Sequence, residues 1–126
     1  MLVKDKMVSP AICVNSETTV NDALKIMNEN NISRLPILNQ EKLVGIVVAQ
    51  DIDRSLKAPG FMPEVAVEWI MTRNPITIDA EADIRDAVKL LVDNKVAGLP
   101  VVSGEKVVGI ITERDLLKYL LEIISL

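Results

Sequence analysis

Histidine is absent from the 126 residues, cysteine occurs once, at Cys13, and tryptophan, tyrosine and phenylalanine occur once each. Without an imidazole there is no histidine-based zinc site and no histidine acid or base. A single cysteine excludes an internal disulfide and points to a reducing cytoplasm. With aromatics at 2% the core must be built from Val, Ile, Leu, Ala and Met, and stacking platforms for single-stranded nucleic acid are missing. Basic residues are also short: 14 Lys and Arg against 18 Asp and Glu give a net charge of −4 and a pI near 4.8. That balance opposes a phosphate backbone, so no nucleic-acid partner is expected. No apolar run approaches the ~18 residues of a membrane span. Charge arrives at Lys4-Asp5-Lys6, so neither export nor membrane insertion is expected.

What is present is an ordinary soluble composition, 49% hydrophobic and 25% charged, in a length that holds one compact domain or two small halves sharing a core. The chain also repeats itself. Met7 matches Met71, an offset of 64, and the register runs without a gap from Val3 against Val67 to Leu56 against Leu120. Identities along it include Ile12/Ile76, Asp22/Asp86, Ala23/Ala87, Leu35/Leu99, Pro36/Pro100, Gly45/Gly109, Ile46/Ile110 and Asp51/Asp115. The repeats span residues 2–56 and 66–120, with a linker at 57–65 that carries Pro59, Gly60 and Pro63, and residues 121–126 extend the last helix.

Each repeat reads alike. A short strand, Ala11 to Val14 or Pro75 to Ile78, precedes a helix capped by Thr19 or Asp83, with Asp22 or Asp86 placed as a capping-box partner. Val20, Ala23, Leu24 and Met27, and likewise Ile84, Ala87, Val88 and Leu91, follow the helical period, and Asn30 and Asn94 end the helices. A hairpin follows, Leu35–Leu38 with Leu43–Val48, or Leu99–Val102 with Val107–Ile111, and a closing helix comes after Asp51 or Asp115. The result is β-α-β-β-α twice, an α+β arrangement in which each half has little core of its own.

These residues resemble the CBS (cystathionine β-synthase) domain family. The most specific element is Gly109-Ile110-Ile111-Thr112-Glu113-Arg114-Asp115, joined by Met7 and Met71 opening each repeat, Pro75-Ile76-Thr77-Ile78, and the strand starts at Pro36 and Pro100. Ala97-Gly98-Leu99-Pro100-Val101 is most similar to the CBS pairs of acetoin-utilisation-type proteins, in which a further domain follows. The resemblance implies two repeats packed with pseudo-two-fold symmetry into a disc-shaped Bateman module. It also implies an adenosyl ligand in the cleft between repeats: AMP, ADP, ATP or S-adenosylmethionine.

On that reading Asp115 accepts hydrogen bonds from the ribose hydroxyls, as an acidic residue does in dinucleotide-binding folds. Thr112 and the backbone N–H groups at the helix start meet a phosphate, with Arg114 and Arg34 as further cations. Aliphatic side chains and backbone edges grip the adenine, with Ile76, Ile78, Leu99 and Val101 as its walls; Ala97 and Pro100 are further ligand-binding residues, and Asp51 is the second ribose candidate. Val48 stands where the pattern has Thr or Ser, so the first-repeat site is expected to be weaker or empty. Thr112-x-x-Asp115 is equally a plain capping box, which structure alone would explain.

The expected function is regulatory, a non-catalytic module that senses an adenosyl ligand and signals to a regulated enzyme or a further domain; the alternative is a dimerisation module without ligand. No nucleophile paired with a base supports catalysis. Cys13 is expected as a buried thiol and Trp69 as a packing residue. A homodimer is expected through the C-terminal helix. At about 100° per residue, its residues Tyr119, Ile123, Leu116, Leu120, Ile124, Leu117 and Leu121 fill an arc of roughly 200°, with Leu126 just beyond, twice what one core covers.

Overall fold

The computed structural model describes residues 1–125. In chain order it contains α1 (Val3–Lys6), β1 (Val14–Asn15), α2 (Val20–Asn30), β2 (Arg34–Asn39), β3 (Lys42–Val48), α3 (Ala49–Leu56), a 3₁₀ turn (Val67–Trp69), β4 (Thr72–Arg73), β5 (Ile78–Asp79), α4 (Ile84–Asn94), β6 (Gly98–Ser103), β7 (Lys106–Thr112) and α5 (Glu113–Ile124). The fold is α+β and forms two compact units, each with its own apolar cluster.

The first-repeat unit comprises residues 12–75. Its sheet has the order β1-β2-β3-β4, with β1 parallel to β2 and the remaining pairs antiparallel. The β2–β3 turn is two residues long, and Gln40 and Glu41 take positive φ (51° and 67°), as the twist of a tight hairpin demands. Helix α2 begins where Thr19 Oγ1 accepts the Asp22 N–H at 3.1 Å. It turns Val20, Ala23 and Met27 into the core.

The second-repeat unit repeats this plan with a three-stranded sheet, β5-β6-β7, in the same parallel-then-antiparallel order and the same register irregularity, at Val101/Val102 as at Ile37/Leu38. Asp83 caps α4 by accepting the Arg85 N–H at 2.8 Å. That bond, with the nearby guanidinium, holds its carboxyl below the ordinary carboxylate range. Ile84, Ala87 and Leu91 are buried.

The leading segments are exchanged. Residues 1–11 open the first repeat in sequence, yet they pack in the second-repeat unit. There the Val3 N–H donates to the Ala82 carbonyl (2.9 Å), and Val8 and Ile110 exchange backbone hydrogen bonds (2.9 and 3.0 Å). Val3 is fully buried in that cluster. Residues 65–71 serve the first-repeat unit likewise: the Val20 N–H donates to Val65, and the Val67 N–H to Thr18.

Several sequence expectations shift. The short strands begin at Val14 and Ile78, not at Ala11 and Pro75, because parallel pairing with β2 and β6 starts at Ile37 and Val101. Helices α2 and α4 end on Asn30 and Asn94, whose side-chain amides donate back to the Ile26 and Leu90 carbonyls (2.8 and 2.9 Å). The left-handed cap is the next residue, Asn31 or Lys95, each at φ 54°. The closing helices start two residues before Asp51 and Asp115. Trp69 is 74% exposed, so it is no packing residue; in that 3₁₀ turn Val67 takes the buried position. Cys13 is half-buried just ahead of β1, and burial pushes its thiol above the ordinary value.

Candidate functional site

Most of the candidate residues fall in the second-repeat unit, around the junction of β7 and α5. Thr112 is the last residue of β7 and the N-cap of α5. Its Oγ1 accepts the Asp115 N–H (3.2 Å) and donates to Asp115 Oδ2 (2.9 Å), which also accepts the Thr112 N–H (2.9 Å). The sequence Thr-x-x-Asp thus makes a closed, reciprocal capping box, and both groups are part-buried. Its structural role is on view whatever else it does. The Glu113 N–H donates to the Ala97 carbonyl at 2.9 Å, which ties the helix start to the residue that precedes β6. Gly98 is the ladder partner of Thr112, so no side chain stands opposite the threonine. Arg114 follows on the exposed first turn.

The expected wall divides. Ile76 is 38% exposed and Ala97 half-exposed, whereas Ile78, Leu99 and Val101 are 5%, 1% and 0% exposed and belong to the unit's own apolar cluster. Pro100 is buried between them and pairs with Ile110. Leu99 and Val101 turn their side chains into that cluster, while Pro100, between them on β6, is buried outside it.

In the first-repeat unit the homologous junction is built differently. Val48 is the N-cap of α3 and has no side-chain hydrogen bond to offer. The Ala49 N–H donates to the Ser33 carbonyl at 2.8 Å, as Glu113 does to Ala97. Asp51, in the first turn of α3, pairs with Arg54 at 3.2 Å. Arg34 opens β2 as the ladder partner of Val48, at the position Gly98 holds in the other unit. Arg34 and Asp51 therefore share one junction and Thr112, Arg114, Asp115 and Ala97 the other, while Ile76 lies two residues ahead of β5. The backbone ties from Ser33 and Ala97 were not legible, because a carbonyl acceptor leaves no mark on residue type. Among the described residues there is no group of three or more side chains suited to hold a metal ion. Among the described residues no helix is long and apolar enough to cross a membrane.

Comparison with known proteins bears on the fold that carries these junctions. The CBS domain matches twice, at residues 3–58 and 66–122. A CBS domain-containing protein of Dictyostelium discoideum is 34% identical over 138 residues, covering 99% of this chain and 94% of that protein. The L-aspartate semialdehyde sulfurtransferase of Methanocaldococcus jannaschii is 35% identical over 117 residues, and there the match spans only 22% of the longer protein. Among solved structures, the CBS domain pair of protein MJ0100, in complex with 5′-methylthioadenosine and S-adenosyl-L-methionine, superposes with a TM-score of 0.86 at 34% identity, covering 95% of both chains. CBSX2 in complex with AMP gives 0.82 at 28% identity, covering 97% of both. The acetoin utilisation protein AcuB of Vibrio cholerae gives 0.86 at 25%, covering 99% of this chain and 93% of its own. With the domain matched twice over nearly the whole length, and the same fold in each of these pairs, the chain belongs to the CBS domain family.

Proposed function

We propose that this CBS pair is a non-catalytic regulatory module that binds one adenosyl ligand and reports it to a partner. The ligand is AMP, ADP, ATP or S-adenosylmethionine. The observation that carries the reading is the Thr112–Asp115 arrangement: a carboxylate and a hydroxyl held at 2.9 Å of one another at the first turn of α5, with Gly98 as the ladder partner of Thr112. Two similar CBS pairs were solved with adenosyl compounds bound. The Thr112 N–H and hydroxyl both donate to Oδ2 of the Asp115 carboxylate; in the proposed complex the ribose hydroxyls donate to the carboxylate, the phosphate meets Thr112 and the helix start, and Arg114 adds charge. The principal site is that of the second repeat, because Val48 deprives the first of its hydroxyl. A cytoplasmic setting is supported by the presence of one cysteine, which excludes an internal disulfide.

A panel of adenine nucleotides and S-adenosylmethionine in thermal shift and calorimetry tests this. At a hundredfold excess over Kd a bound ligand adds about 2.7 kcal/mol to stability. If no compound moves the melting temperature, the reading fails, and an interaction module that binds no nucleotide takes its place.

Arg34 is proposed as a cation for the additional phosphates. Affinity should then rise from adenosine through AMP to ATP and fall as salt is raised, and Arg34→Ala should flatten both trends. Equal affinity for adenosine and its phosphates, or an unchanged Arg34→Ala variant, would remove Arg34 from the site. The module is further proposed to be a homodimer whose contact includes α5, with a regulated enzyme or a further domain as the receiver of the signal. The occurrence of a similar segment within the much longer sulfurtransferase supports the second idea.

A further inference from the structure

Five glycines occur in the chain, and the fold accounts for four of them. Gly60 and Gly104 take positive φ (77° and 62°), where a side chain is strained. Gly45 and Gly109 are matched across the repeat, and an added methyl group there would meet Met71 and the Thr72 carbonyl oxygen, or Met7 and the Val8 carbonyl oxygen. Gly98 is the remaining one. It opens β6, half-buried and without a positive φ, so no turn calls for it. A glycine in a strand lowers stability, because it has more backbone freedom to lose and no side chain to pack.

The first repeat provides an internal control. At offset 64 the counterpart of Gly98 is Arg34, which opens β2 and is the ladder partner of Val48 as Gly98 is of Thr112. The residue after each of those partners, Ala49 or Glu113, donates its N–H to the carbonyl just ahead of the strand, at Ser33 or Ala97 (2.8 and 2.9 Å). One backbone plan therefore carries a long side chain at this position in one unit and none in the other. The local fold does not demand the glycine, so it has another cause.

What a side chain at this position would cover indicates the cause. Directly opposed residues of an antiparallel ladder share one face of the sheet, with Cβ atoms about 5 Å apart, and successive residues alternate between faces. Leu99 and Ile111, the next opposed pair, belong to the apolar cluster, so Gly98 and Thr112 lie on the other face. A side chain at residue 98 would stand beside Thr112, whose hydroxyl donates to Asp115 Oδ2 at 2.9 Å. In the first-repeat unit Arg34 stands opposite Val48, which has no side-chain hydrogen bond to offer. The bare position and the polar pair occur together in one repeat, and both are lost together in the other.

We infer that Gly98 is a specificity-determining residue of the adenosyl site: the place of its missing side chain is the seat of the ribose, whose hydroxyls reach Asp115 from there. This rests on the reading of the second-repeat junction as the adenosyl site and deepens it. The sugar is common to the adenine nucleotides and to S-adenosylmethionine, so Gly98 acts on all of them alike and sets the room beside Thr112, whatever the charge of the rest of the ligand.

Calorimetric titration of the full chain with AMP, ADP, ATP and S-adenosylmethionine tests it, paired with melting and hydrogen exchange of the ligand-free protein. Gly98→Ala should weaken every compound that the wild type binds about tenfold, and Gly98→Val about a hundredfold, the range that a misplaced methylene covers in a fitted pocket. The ligand-free melting temperature should hold or rise, since both changes restrict the unfolded chain and valine favours a strand. The Asp115 amide should keep its protection, as an intact capping box requires. A wild type that binds none of the four compounds removes the adenosyl reading and this inference together. Four results overturn the inference and leave that reading standing. One is a Gly98→Val protein that binds within threefold of the wild type. Another is a Gly98→Ala protein that melts several degrees lower, which makes the glycine a packing requirement of the fold. The third is an Asp115 amide that loses protection in Gly98→Ala. The last is a loss that differs more than threefold between the bound compounds, which puts some part of the ligand other than the sugar beside Gly98.

Discussion

Asp115→Ala is expected to weaken adenosyl binding about tenfold or more, the loss of a charge-assisted hydrogen-bond pair being worth roughly 1.5–3 kcal/mol. It should also destabilise the folded chain by about 1 kcal/mol, because the same carboxylate takes the Thr112 N–H and hydroxyl in the box that starts α5. The two effects separate in Thr112→Ala. That change removes the acceptor of the Asp115 N–H, so it should cost the same stability while keeping the carboxylate for the ribose, and titration with adenosine or S-adenosylmethionine, which carry no phosphate, leaves the contact proposed between Thr112 and the phosphate out of the comparison. Asp51→Ala should do little to either quantity, since Asp51 is engaged with the exposed Arg54 and caps nothing. Calorimetric titration of the three variants below their melting range decides between site and cap. An Asp115→Ala protein that binds as well as wild type reduces the box to a helix cap, and a larger loss in Asp51→Ala moves the principal site to the first repeat.

Why these consequences differ between two nearly identical junctions was visible in the sequence at one position and hidden at another. Val48 against Thr112 is a difference of residue type, and residue type alone predicts that one helix start has a hydroxyl and the other has none. Hairpins, caps and helix faces were legible for the same reason: each is set by residues a few positions apart. The burial of Leu99, Pro100 and Val101 was not. A strand with three successive buried residues shows no alternation to mark which side is free, and in the structure Leu99 and Val101 belong to the unit's apolar cluster while Pro100 is buried outside it. The exchange of leading segments was hidden more deeply. The repeat at offset 64 makes residues 1–11 and 65–75 equivalent, and equivalence in pattern cannot say which of two like units each will join. Only the pairing of Val8 with Ile110 and of Thr72 with Ile46 settles it. The α5 surface lay between these extremes: its wide apolar arc was plain, and the structure adds that Leu116 and Tyr119 are the residues turned inward. Leu126, placed at the edge of that arc, lies outside the described residues.

The exchanged segments meet their units at two glycines, and there the largest loss of stability is expected. A methyl group added at Gly109 would stand 2.6 Å from Met7 Sδ and 2.8 Å from the Val8 carbonyl oxygen. At Gly45 it would run into Met71 Sδ and stand 2.8 Å from the Thr72 carbonyl oxygen. Neither glycine has a positive φ, so it is close approach, not backbone freedom, that excludes a side chain here. The methionine can swing aside, but the carbonyl cannot, since it belongs to a segment fixed by the Val8–Ile110 or Ile46–Thr72 pairing. Gly109→Ala and Gly45→Ala should therefore each cost about 1–3 kcal/mol or more, as overpacking does in a close-packed interior, and lower the melting temperature by several degrees. Met7→Ala added to Gly109→Ala should return only part of the loss, because the Val8 oxygen remains. Hydrogen exchange should localise the damage: in Gly109→Ala the Val8 and Ile110 amides lose protection first, and in Gly45→Ala those of the β3–β4 pairing do. A Gly109→Ala protein that melts within a degree of the wild type would mean that residues 1–8 sit on β7 loosely enough to move away. The leading segment would then be a mobile strap on the second-repeat unit, and Met7 would have no part in fixing it.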